Sequence, residues 1–293
     1  MIAMPRLRAS HFLNHFAPQI ALLAALAVSA CVTMPEPDGP PRKELVYAVT
    51  DAAELIHFNA GQPQRILSRK AVLGLPSGDK LVGIDFRVSR GVLYTLSTSG
   101  RLYTLNTASG QLGAVGTGAP VALSGQRFGF DFNPAADRIR VVSDTGQNLR
   151  LHPDTGAVAA TDAPLRMAPG DAGGNRTPRI GGAAYTYNKQ DDKLTTNYAI
   201  DLDAGALLMQ GSKEGVGPAV SPNTGLLTTV GALGTGPVDD ASFDIADIGN
   251  AALAALQRGG RTRLHLVDLA TGRATLLGTV GDGRALWGMA IEP

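Results

Sequence analysis

The sequence predicts an all-β fold: a β-propeller of five four-stranded blades, closed by pairing strands from the N- and C-terminal ends. Three observations predict it. A strand opening with a small residue, then an apolar one, then usually Asp recurs along the chain. The recurrence has a period of roughly 45–55 residues with four short apolar runs per unit, as in a propeller blade. The two ends hold incomplete units that fit each other.

The chain opens with a segment outside this pattern. Arg6 and Arg8 precede an apolar run, IALLAALAV (20–28), which is too short to span a bilayer comfortably. It ends at Val28-Ser29-Ala30-Cys31, which resembles a bacterial lipobox. That resemblance implies cleavage before Cys31 and lipidation of its sulfur, so residues 1–30 are expected to be a signal peptide. Each buried acyl CH₂ contributes about 0.8 kcal/mol, so two or three chains make a stable membrane anchor. Val32 rather than Asp follows the cysteine, which points to an extracytoplasmic address on a Gram-negative outer membrane. Residues 31–44 carry four prolines and read as a semi-extended tether. Cys31 is the only cysteine, so the expected domain, 45–293, is held by packing rather than disulfides.

Within that domain the repeated strand reads Gly83-Ile84-Asp85-Phe86, Gly129-Phe130-Asp131-Phe132, Gly182-Ala183-Ala184-Tyr185 and Ser242-Phe243-Asp244-Ile245. Second strands follow as VLYTLS, RIRVVS, LTTNYAI and AALAAL. The last has the composition of a short helix as much as of a strand. Third runs end at turns such as Asp154-Thr155-Gly156 and Ala270-Thr271-Gly272. In such turns polar side chains bond nearby backbone and Gly supplies a positive φ. Residues 45–49, 54–58 and 64–68 read as strands two to four of a blade, and 286–291 as its missing first strand. The expected blades are thus 286–292 with 45–75, then 83–116, 128–160, 181–230 and 242–281. Closure of the ring removes exposed strand edges and favours a monomer.

The stretch FGFDFNPAADRIRVVSDTGQNLRLHPDTG, with GRLYTLNTASG before it and AAYT, LTTVGALG and FDI after it, resembles the bacterial domain-of-unknown-function family 4394. The resemblance implies an extracytoplasmic, propeller-like domain and brings no activity with it.

Three sets of residues could carry chemistry. Asp85, Asp131 and Asp244 share one repeat position on the innermost strand and could converge near the tunnel. Such a site would suit Ca²⁺, which prefers oxygen ligands; the more ordinary role is for each carboxylate to bond backbone N–H groups of its own loop or the adjacent blade. The fourth and fifth equivalents are Ala184 and Ala290, so the acidic ring is incomplete. Asp131, Arg140, Asn148 and Arg150 are candidate ligand-binding residues; Arg138, Arg140, Arg150 and His152 could form a basic patch that holds a carboxylate or a phosphate. Alternatively, Arg138 or Arg140 pairs with Asp137 or Asp144. Two Gly- and Pro-rich loops, 164–181 and 211–225, exceed what a blade needs; Asp171, Asn175, Arg176 and Arg179 are candidates on the first. His57, His152 and His265 fall in different blades without metal-ligand spacing.

The chain holds 26 Lys plus Arg against 25 Asp plus Glu, a net charge of +1, which provides no field for nucleic acid. No catalytic residue can be assigned. The expectation is a lipid-anchored binding module for an envelope protein or glycan. The alternatives are a metal-dependent, lactonase- or lyase-like enzyme, or a structural envelope component.

Overall fold

The computed structural model describes residues 1–2 and 39–293. The expected signal peptide from residue 3, Cys31 and the tether through residue 38 lie outside the described residues. β1 (Leu45–Thr50), β2 (Glu54–Asn59) and β3 (Ile66–Ala71) form the outer part of the first blade. β4 (Leu81–Arg87), β5 (Val92–Ser97), β6 (Leu102–Leu105) and β7 (Leu112–Ala114) form the second. The third comprises β8 (Phe128–Asn133), β9 (Arg138–Ser143), β10 (Asn148–Leu151) and β11 (Val158–Thr161). A two-residue strand, β12 (Arg166–Met167), precedes the fourth blade: β13 (Ile180–Tyr185), β14 (Asn197–Asp201), β15 (Ala206–Gln210) and β16 (Leu226–Ala232). β17 (Asp240–Ile245), β18 (Ala252–Arg258), β19 (Arg261–Val267) and β20 (Ala274–Thr279) form the fifth.

The last strand, β21 (Leu286–Ile291), returns to the first blade as its innermost strand. It pairs antiparallel with β1, Val46 opposite Ile291 and Ala48 opposite Met289. The five-bladed, end-to-end closed ring expected from the sequence is therefore the fold. Innermost strands β21, β4, β8, β13 and β17 pack in succession around one axis, and each seam between blades is filled by an apolar cluster.

Local chemistry explains the hairpins. Asn106 Oδ1 accepts the N–H groups of Ala108 and Ser109, and Asp268 Oδ1 those of Ala270 and Thr271. Gly110 and Gly272 then take φ of 77° and 78°, a conformation that costs other residues more. The ambiguous AALAAL run is a strand, because β18 is paired on both edges and buried on both faces. Tertiary burial overrides its helix propensity. The loop 164–181 is also less free than its composition suggests, since β12 pairs parallel with β16 as an extra outer strand. Residues 39–44, expected as tether, are fastened to the β2–β3 turn. The Arg42 main chain bonds Asn59 in both directions, and Gln62 donates to the Gly39 carbonyl.

Candidate functional site

The axis is built in layers by equivalent residues of the inner strands. Gly83, Gly129, Gly182 and Gly288 each abut the next inner strand, at Phe130, Ala183, Phe243 and Ile84 respectively. A Cβ added to any of them would lie 2.4–2.8 Å from that neighbour. Small residues here are what let five strands meet so closely; Ser242 holds the fifth place.

Two residues further along, Asp85, Asp131 and Asp244 converge, with one ligand-type oxygen from each within 4.8 Å of the others. Their carboxylates are spent on main chain. Asp85 accepts the N–H of Phe86 at 2.7 Å and, across the seam, that of Phe132 at 2.7 Å. Asp131 accepts from Tyr185 in the next blade at 2.9 Å. Asp244 accepts from Ile245 and, in the next blade, from Ile291, both at 2.6 Å. Three acids thus serve all five inward N–H groups of this layer. Phe86 and Ile245 follow the blades that carry Ala290 and Ala184, and they bond the carboxylate of their own strand instead.

This layer is buried and poorly solvated. Burial, then the charge of Asp244, pushes the Asp85 carboxyl well above the ordinary range. Burial, then the charges of Asp85 and Asp244, does the same to Asp131. Burial raises Asp244 to about 6, against the pull of its two N–H donors. On the far side, Tyr187 is pushed up by burial and by the three acids.

One layer before the aspartates, the tunnel mouth opens into a recess of ≈ 600 Å³. Its floor is formed at Ile84, Phe130, Ala183, Phe243 and Met289, and the aspartates do not line it. Main-chain groups of alternate strand residues share an edge. The N–H groups of Phe86, Phe132, Tyr185, Ile245 and Ile291 face the axis, so those of the five floor residues do as well. Around the mouth stand Lys80, Gln126, Arg127, Asp240, Gln257 and Trp287. Arg127 Nε lies 3.0 Å from Asp240 Oδ2, and burial holds Asp240 at about 6 despite that cation.

The other candidates are not gathered here. Arg140 and Arg150 are direct cross-strand partners on β9 and β10, but no exposed basic patch forms. Arg140 is 1% exposed; its guanidinium donates to the Tyr185 hydroxyl, Asn148, Asp162 and Asn223. Arg150 grips the same Asp162 through two bonds of 2.8 Å. The partner is Asp162, not Asp137 or Asp144, and this polar network fills the seam between the third and fourth blades. Asp137 instead joins Asp154 in holding the buried Arg87 across the preceding seam. In the 164–181 loop, Asp171 bonds Thr229 and Gly173, Arg176 pairs with Asp201, and Arg179 with Asp203. These contacts lace the loop to its blade. His57 stacks on Tyr47 at 4.2 Å. Among the described residues the three aspartates are the one cluster with metal-like spacing.

Sequence reasoning missed Asp162, Asn223, Arg87 and the recess. Each depends on a long-range contact that carries no local pattern.

A family model described as "Domain of unknown function (DUF4394)" matches residues 54–290. No curated protein matches the chain. Among solved structures, similarity is confined to the fold. A chain of a nidogen/laminin complex is 11% identical, with a TM-score of 0.46, over 85% of this chain and 98% of that one. TolB from Acinetobacter baumannii is 13% identical, with a TM-score of 0.43, over 88% and 68%. A protein of unknown function from Bacteroides thetaiotaomicron is 12% identical, with a TM-score of 0.46, over 83% and 60%.

Proposed function

The chain belongs to the DUF4394 family, and on that premise we propose that it is a lipid-anchored, extracytoplasmic binding module whose ligand enters the recess at the tunnel mouth. One observation carries this reading: a concave site of ≈ 600 Å³ at the mouth of the tunnel, within the roughly 300–1,000 Å³ typical of small-molecule sites. The anchor rests on the lipobox-like Val28-Ser29-Ala30-Cys31. The partner is an envelope glycan or protein. Crosslinking at the recess rim in the native envelope should enrich one of these, and repeated enrichment of neither would overturn the reading. A Cys31→Ser chain should leave the membrane fraction; unchanged retention would remove the anchor.

The convergence of the three aspartates favours a second reading, a bound divalent cation. The fit is poor. Five of the six carboxylate oxygens already accept a main-chain N–H. Ca²⁺ requires 6–8 oxygen ligands, more than the one remaining oxygen of these three carboxyls offers without sharing those N–H acceptors. Elemental analysis of the purified chain, with Ca²⁺ calorimetry of wild type and an Asp85→Ala, Asp131→Ala chain, decides it. Stoichiometric metal lost in the variant would establish the cation.

A further inference from the structure

We propose that the recess takes the end of a neutral saccharide, held by hydrogen bonds from Gln126, Gln257 and Ser242 and packed on Trp287. This deepens, and rests on, the reading of the recess as the binding surface.

Which polar groups are already committed decides the ligand class. Arg127 and Asp240 are paired to each other at the mouth. Asp51, also in the lining, faces Arg284 at 3.6 Å, which leaves Lys80 as the single lining charge outside an ion pair among the described residues. Lys80 is exposed and stays solvated. A strongly anionic or cationic ligand therefore meets no complementary field. The uncommitted groups are neutral. The side-chain amides of Gln126 and Gln257 and the Ser242 hydroxyl hydrogen-bond to none of the described residues, and all three line the recess. Each can both donate and accept, as the hydroxyls of a sugar do.

The floor repeats that character. Its inner-strand edges offer N–H and C=O groups together, converging on an axis where no peptide can extend all five sheets. A peptide strand needs one continuous free edge, whereas a compact polyol can address several short ones. Trp287 supplies the apolar component. It is half-buried against the seam between the first and second blades and also lines the recess. Its ring can cover the C–H face of a sugar, as amphipathic aromatic rings do at binding surfaces.

Trp287 is the only tryptophan in the chain, so its emission reports the site directly. The full chain, purified in a non-glycosidic detergent, is titrated with neutral hexasaccharides of glucose, mannose and N-acetylglucosamine. Hexagalacturonate and an uncharged Ala/Ser hexapeptide serve as contrasts. At least one neutral saccharide should shift the emission. A Gln126→Ala, Gln257→Ala chain with unchanged melting should bind it at least about tenfold more weakly. A response to the acidic saccharide or the peptide alone, lost in that variant, would overturn the saccharide assignment and leave the recess as a binding site. Silence towards every probe would overturn both.

Discussion

Two neighbouring layers of one axis, built by the same five strands two residues apart, are opposite in character. In the aspartate layer every inward N–H has a carboxylate partner, and the side chains are buried beneath the tunnel floor. In the glycine layer only Ser242 carries a side chain, and the tunnel widens into the recess. The difference teaches where polar groups serve the fold and where they are left for a ligand. Buried carboxylates replace the missing strand partners and tie blade to blade, while glycines and one serine keep the mouth open. Recurrence of an acid at one repeat position is therefore evidence of blade construction before it is evidence of a metal site.

Breaking the closed layer should have the largest effect. Asp85→Ala or Asp244→Ala strips two buried N–H groups of their acceptor. At roughly 1–3 kcal/mol per orphaned group, each should lose about 2–6 kcal/mol, read as the shift in denaturation midpoint. Asp131→Ala orphans one N–H and should cost about half as much.

Asp131→Asn sharpens the point. Its carbonyl can still accept from Tyr185, and it removes one of three crowded buried acids, so it should equal or exceed wild-type stability near neutrality. A large loss in denaturant would show that the crowding of these buried acids is not what matters.

The pH dependence comes next. The folded-state values of the three acids lie above their unfolded values. Their stabilisation is thus complete below about 3.8 and is lost as pH rises through the folded values, about 6 for Asp244. Asp79 and Asp171 oppose this. Burial raises them, but hydroxyl and main-chain hydrogen bonds outweigh it and hold them low, so their contribution is lost as pH falls. Comparison with Asp131→Asn isolates the axial part. Between about pH 5 and about pH 8, wild type should lose more thermal stability than the variant does.

The smallest effect on stability belongs to the open layer. Gln126→Ala and Gln257→Ala should each stay within about 0.5 kcal/mol of wild type. A larger loss would mean these amides serve the fold after all, and the contrast between the layers would fail.

Much of the architecture was legible in the chain. The small–apolar–Asp strand, the Asp/Asn-to-Gly turns and the split terminal blade follow from period, turn chemistry and strand alternation, which are local. Asp85, Asp131 and Asp244 were legible as a set because repetition places equivalent residues at equivalent depths. Their bonding to backbone N–H groups of their own loop or the adjacent blade was also legible; which N–H each takes across a seam was not, because that partner lies 47–54 residues away. Arg140 shows the same limit. Strand pairing correctly set it beside Arg150, yet the sequence pattern could not reveal that Asp162 and Asn223 would bury it.

The sequence by itself determined most strands and their grouping into blades, because hairpin turns and the alternation of strand faces are short-range properties, and the ring's closure, because the repeat leaves incomplete units at the two ends that fit each other. Only the tertiary structure decided which main-chain N–H groups the acids accept, which arginine is buried and which amides remain free at the mouth. Those outcomes depend on how closely five blades meet at one axis, and on how much water that leaves.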